Sequence, residues 1–213
     1  IMSDFLQVAD AGELARQINS LCTAVDRARS LSGRLSRVMS LKEQLGGFGP
    51  PGPSPWREGY EAARRVRAEL GRSDAGPGLF DELALSGSDV VLKLGESSTF
   101  FDAIGSTNRD SSPGFVVSMR SDEATRFAAC RGFFEYLAAP TDQPVIVNHS
   151  RSLAQARNRA FAAEFLAPAE FLRMNISARA IDDDAVIGLA RRCGVAEQLV
   201  RHQIRNHQIA RII

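Results

Sequence analysis

Two stretches hold the residues whose types and spacing could carry chemistry. Residues 126–137 read RFAACRGFFEYL, and residues 157–168 read RNRAFAAEFLAP. The first has the frame of a zinc helix of the H-E-x-x-H kind. In such a helix two imidazoles one turn apart face a single metal, and the glutamate after the first takes a proton from the metal-bound water. A third ligand, commonly a carboxylate, comes from a later helix. Histidine is missing here from both places that need it. The chain has three histidines, His149, His202 and His207. The last two are five residues apart, about 140° around a helix, which does not aim them at one ion. Surface or partner-contact histidines are expected.

Cysteine usage gives no alternative metal centre. Cys22, Cys130 and Cys193 are widely separated and form no C-x-x-C pair. That spacing points to reduced thiols in a cytosolic protein. The formal net charge is +1, so no global field calls for nucleic acid or an acidic membrane. No apolar run approaches a membrane span, and the first residues lack the basic and apolar regions of a signal peptide. Isoleucine precedes methionine at the start, which fits either a chain that begins inside a longer protein, with a domain upstream, or a residue left by cloning.

The elements that must position the two stretches follow from periodicity. Residues 10–45 carry apolar side chains at three- and four-residue steps, predicting one or two helices. Residues 1–45 are thus expected to be a helical arm, packed on its own domain or forming a homodimer seam. The run GGFGPPGPSP, through its prolines and glycines, makes 46–54 a linker before a domain over 55–213. A helix is predicted from Pro55 to Gly71, and a short one near 79–85. DVVLKLGES (89–97), GFVVSMRS (114–121) and PVIVN (144–148) read as strands. The intervening STFFDAIGSTNRDSSP is expected to hold a strand and an irregular loop. Helices follow over 122–137, 151–166 and 169–174, then over the closing DDDAVIGLARRCGVAEQLVRHQIRNHQI. Helices, a small sheet and more helices predict an α+β fold.

Four segments resemble the ImmA/IrrE family of small metallopeptidases. They are PWREGYEAARRVRAELG, GFVVSM, RFAACRGFFEYL, and NRAFAAEFLAP with the later LARRCGVAEQLVRHQI. The resemblance covers roughly residues 55–210 and is most specific in FAAEFLAP. It implies a zincin-like domain with a small sheet on helices. It also implies a bacterial role in transcription control, stress response or phage defence, where such peptidases commonly cleave or disable repressors. Every catalytic position carried over is changed. The first histidine position is Arg131, the general-base position Gly132, the second histidine position Glu135 and the third-ligand position Gln155; Cys130 replaces an alanine.

An arginine offers no lone pair to a metal and repels it. Glycine cannot take a proton, and Gln155 is a neutral donor where an anion is wanted. No zinc and no other cofactor is therefore expected, and the leading expectation is an inactive pseudopeptidase. It would bind a protein such as a repressor or its own upstream domain, DNA or a ligand through the former substrate cleft, without contacting membrane. Arg131 there would favour an anionic partner. The plainer reading makes Arg131 and Glu135 an i,i+4 ion pair on a helix face. A second alternative is a peptidase rebuilt on Glu135, Gln155 and His149. A third is a DNA-binding regulator. LARRCGVAEQLVRHQI has a helix-turn-helix pattern, and Gln198, Arg201, His202 and Arg205 would face the groove. Arg151, Arg157, Arg159, Arg191, Arg192 and Arg211 are expected to be exposed.

Overall fold

A computed structural model describes residues 12–72, 76–94, 100–119, 121–139 and 143–213. The stripe over 10–45 forms two helices, α1 (Leu14–Ser30) and α2 (Ser36–Leu45), with residues 10 and 11 outside the described range. The break between them is held by the turn of a distant hairpin. Asn108 Nδ2 donates to the carbonyls of Leu31 (3.0 Å) and Gly33 (3.2 Å), and the Leu35 N–H donates to Ser112 Oγ (2.9 Å). Backbone groups that would otherwise continue a helix are satisfied there instead. After the Pro/Gly segment come α3 (Pro55–Glu69) and the short α4 (Leu79–Glu82).

The sheet has strands β1 (Val91–Lys93), β2 (Ala103–Thr107), β3 (Pro113–Val117) and β4 (Val145–Val147), in the order β1-β3-β2-β4. β1 runs parallel to β3, and β2 runs antiparallel to both β3 and β4. The stretch whose strand the sequence marks least thus supplies a central one. Positions 95–99 of the first predicted strand, and 120 of the second, lie outside the described residues. Alternation divides the sheet between two cores. Ile104, Val116 and Ile146 pack with Ala24 and Ala28 of α1, while Ala103, Phe115, Val117 and Val147 belong to the main core.

Between β3 and β4 runs α5 (Asp122–Ala138), started by Ser121, whose Oγ accepts from the Ala124 N–H (3.2 Å). The sheet covers one side of α5, and α6 (Leu153–Leu166) covers another. That is why α5 carries apolar residues almost all round its circumference. Rings join the layers: Phe134 stacks on Phe161 (centroids 4.6 Å apart) and Phe161 on Phe165 (5.3 Å). α3 lies on the far side of α6 and adds Ala62, Ala63 and Val66 to the same core. Val38, Leu41 and Leu45 of α2 join it as well. In the arm Ala24, Ala28, Val38, Leu41 and Leu45 are buried within this chain, while Leu14, Leu21, Val25 and Leu31 are half-buried and Ile18 is exposed. Segment 46–54 is tied down too. The Gly49 carbonyl accepts from Arg157 Nη1 (2.6 Å), and the Gly52 N–H donates to Glu58.

The chain ends through α7 (Ala169–Asn175), β5 (Ala180–Ile181), α8 (Asp183–Cys193), α9 (Glu197–Asn206) and β6 (Arg211–Ile212). β5 and β6 form a small parallel pair that no sequence signal announces. The fold is α+β. Among the described residues no helix is long and apolar enough to cross a membrane.

Candidate functional site

RFAACRGFFEYL on α5 and the start of α6 meet beside the ends of β2 and β4. Local structure sets each position. Ser152 caps α6 by accepting from the Gln155 N–H (3.2 Å), so Gln155 begins the helix with its side chain turned back toward the strand end. Its Nε2 donates to the Ile146 carbonyl (2.9 Å), and its Oε1 accepts from the Asn148 N–H (3.0 Å). Asn158, one turn further along, shares that face.

Arg131 stands in the middle, 4% exposed. Nε donates to Asn158 Oδ1 (2.8 Å), Nη1 to Asp102 Oδ2 (2.7 Å), and Nη2 to Gln155 Oε1 (2.8 Å) and the Asn148 carbonyl. Asn158 Nδ2 in turn donates to Glu135 Oε1 (2.9 Å). The plainer reading of the sequence is corrected here. Arg131 and Glu135 do not form an exposed ion pair; Asn158 bridges them, and Asp102 of the same chain is the carboxylate that Arg131 binds. Burial lowers the Arg131 pKa to about 10 against the opposing charge of Asp102, so the guanidinium remains protonated at neutral pH. A charge this deep is tolerable only when paired and hydrogen-bonded.

The structure thus brings Arg131, Glu135 and Gln155 together, and it adds Asp102, Asn148 and Asn158. Gly132 turns elsewhere. A Cβ at this position would stand 2.9 and 3.1 Å from two atoms of the Phe115 ring, itself fully buried on β3. We expect Gly132→Ala to destabilise the protein by about 1–3 kcal/mol, despite the better helix propensity of alanine. Urea denaturation measures this, and a variant as stable as the parent would show that Phe115 yields.

The residues present do not fit a metal ion. Two carboxylates, Asp102 and Glu135, face a guanidinium that is charged at neutral pH, and it occupies Asp102 Oδ2 and the amide oxygens of Asn158 and Gln155 that a coordination shell would need. Among the described residues no group of three His, Cys, Asp or Glu side chains could hold a metal. His149 is exposed in the loop after β4, whereas Gln155 is buried. Cys130 is buried, which pushes its thiol well above the usual range; burial likewise pushes Cys193 up to about 11. Neither is poised as a nucleophile.

The remaining candidates lie on α9. The turn between α8 and α9 passes through Gly194 in the left-handed conformation (φ 62°). Gln198 and His202 are exposed and hydrogen-bonded to each other (2.8 Å), Arg201 pairs with Asp183 (2.8 Å), and Arg205 is exposed. Four expectations of exposure are corrected, for Arg157, Arg159, Arg201 and His207. Arg157 is buried, held by the Gly49 carbonyl and lying over the Phe134 ring. His207 packs against Tyr60 (centroids 4.7 Å apart), with Nε2 3.4 Å from Glu164 Oε2. A buried carboxylate draws it inward. Arg151, Arg191, Arg192 and Arg211 are exposed, whereas Arg159 and Arg201 are half-buried.

Asp102, Asn148 and Asn158 are the residues that sequence reasoning misses. Asn158 alone left a signal, three positions after Gln155 on a predicted helix. In comparisons with known proteins, no family model matches the chain and no curated protein is similar to it.

Proposed function

We propose that this domain is a pseudopeptidase of the ImmA/IrrE type, a binding module in which the Arg131 guanidinium occupies the place of the catalytic metal. One observation carries the reading. Positions 131, 135 and 155, which the resemblance assigns to metal ligands, converge in space, and an internal cation fixed by four hydrogen bonds lies among them. The charge at the centre of the site is kept while the Lewis acid and the metal-bound water are lost. The position that the resemblance gives to the general base, Gly132, has no side chain, and Glu135 is hydrogen-bonded to Asn158.

Such a module acts by binding, in a cytosolic regulatory, stress or phage-defence system of a bacterial cell, with a repressor-like protein or its own upstream domain as partner. Incubating the purified chain with candidate repressors, with and without a chelator, tests the enzymatic side. No cleavage is expected under either condition. Cleavage that the chelator abolishes would overturn the reading.

A further inference from the structure

A groove of about 490 Å³ runs between the first turns of α5, the middle of α6 and the exposed side of α9, with Tyr60 of α3 at one end. This lies within the size range of small-molecule sites. Its walls are largely apolar, through Phe127, Ala124, Ala160, Ala163, Val195 and Leu199. Phe127 also lies beneath the Arg131 guanidinium, 6.0 Å from ring centroid to Cζ, so the groove adjoins the filled centre.

Two polar groups at this wall are incompletely matched. Arg159 is half-buried and donates Nη1 to the Ser150 carbonyl (3.1 Å), and it forms no ion pair among the described residues. The nearest pull on its charge comes from Asp102, which is bonded to Arg131 at 2.7 Å. The second group is Gln203, fully buried beside the groove. Its Nε2 donates to Glu164 Oε2 (3.1 Å) and to the Ala167 carbonyl (3.0 Å), which fixes which end is oxygen; its Oε1 has no donor. Gln203 has no exposed surface, so this orphan lies behind the groove wall, out of reach of a ligand, and Arg159 is the group the groove offers. The other charged or titratable groups lining it are Tyr60, half-buried with its hydroxyl accepting from Asn206, and Glu123 and His202, both exposed, His202 being bonded to Gln198.

We propose that this groove binds a small carboxylic acid with an apolar body, Arg159 taking the carboxylate. An apolar slot with one unpaired guanidinium selects an anion over a neutral ligand of the same shape. A guanidinium also matches the two oxygens of a carboxylate in a planar fork. The proposal rests on reading the domain as a binding module and deepens that reading by giving the ligand class.

The test is a 1H–15N NMR titration of the full chain with N-hexanoylglycine, and in parallel with its neutral methyl ester. The acid is expected to shift the amides of Ala124, Ala163 and Leu199 and to bind at least about tenfold more tightly than the ester. Arg159→Gln should bring the acid down to the affinity of the ester and leave the ester unaffected. Ala163→Leu, which fills the slot, should weaken both. Absence of groove shifts up to about 10 mM acid, or equal binding of acid and ester by the parent chain, would overturn the proposal. The acid–ester comparison needs no variant, so it decides even where a substitution disturbs folding. A failed titration beside an absence of chelator-sensitive cleavage removes the ligand class alone; chelator-sensitive cleavage removes the binding-module reading beneath it.

Discussion

Arg131→Ala is expected to lower the free energy of unfolding by about 3–5 kcal/mol, the cost typical of removing one partner from a buried pair. The parent guanidinium makes four hydrogen bonds inside the protein, and its loss strands Asp102 Oδ2, Asn158 Oδ1 and the Asn148 carbonyl together. In a chain of this size the loss corresponds to a fall in melting temperature of about 6–20 °C. Arg131→Lys should recover only part of it, because one ammonium cannot reach acceptors arranged for a planar fork. Methylguanidinium added to the alanine variant should raise its melting temperature by binding the vacated cavity, with no comparable gain for the parent. A loss below about 1 kcal/mol, the value of an exposed pair, would mean that Arg131 is a surface charge after all.

A second large effect centres on Glu164, whose side chain is 3% exposed. It accepts from Arg64 Nε (2.9 Å) and Gln203 Nε2 (3.1 Å), and His207 lies 3.4 Å away. Burial pushes this carboxyl upward, but His207 and the Arg64 guanidinium outweigh it and leave the pKa below the ordinary glutamate range. A carboxyl whose pKa is depressed by folding stabilises the native state most when it is ionised in the unfolded chain as well. Its contribution is therefore complete at neutral pH and is lost as the pH falls through the folded pKa. Glu164→Gln should cost about 1.5–3 kcal/mol at pH 7, the scale of hydrogen bonds to a charged group. It should also flatten the acid limb of stability against pH. Denaturation curves collected from neutral to acid pH check both points. Parallel acid limbs for parent and variant would show that Glu164 titrates alike folded and unfolded.

The helices that frame the site are legible because their starts are written in short range. Ser121 and Ser152 cap α5 and α6, and each precedes a run rich in alanine and free of proline. The stretch that forms β2 is harder to read. Ala103–Thr107 is covered on both faces and includes a glycine, so it lacks the polar–apolar alternation of a half-exposed strand. Most of the site's chemistry is also long range. Asp102 lies 29 residues from Arg131 in the chain, and nothing local marks it as the counter-ion. Arg131 itself reads as a surface residue, since a lone arginine on a helix usually is one. Only the sheet and α6 closing around α5 show that it is buried. Glu164 and His207 follow the same logic, because their attraction exists only after α9 has folded back over α6.

If Arg131 takes the place that the resemblance gives to a metal, the purified, untagged protein carries no zinc, and elemental analysis checks this. The expected result is zinc far below one ion per chain and no change in melting temperature on adding a chelator. One zinc per chain, lost on Glu135→Ala, would contradict it.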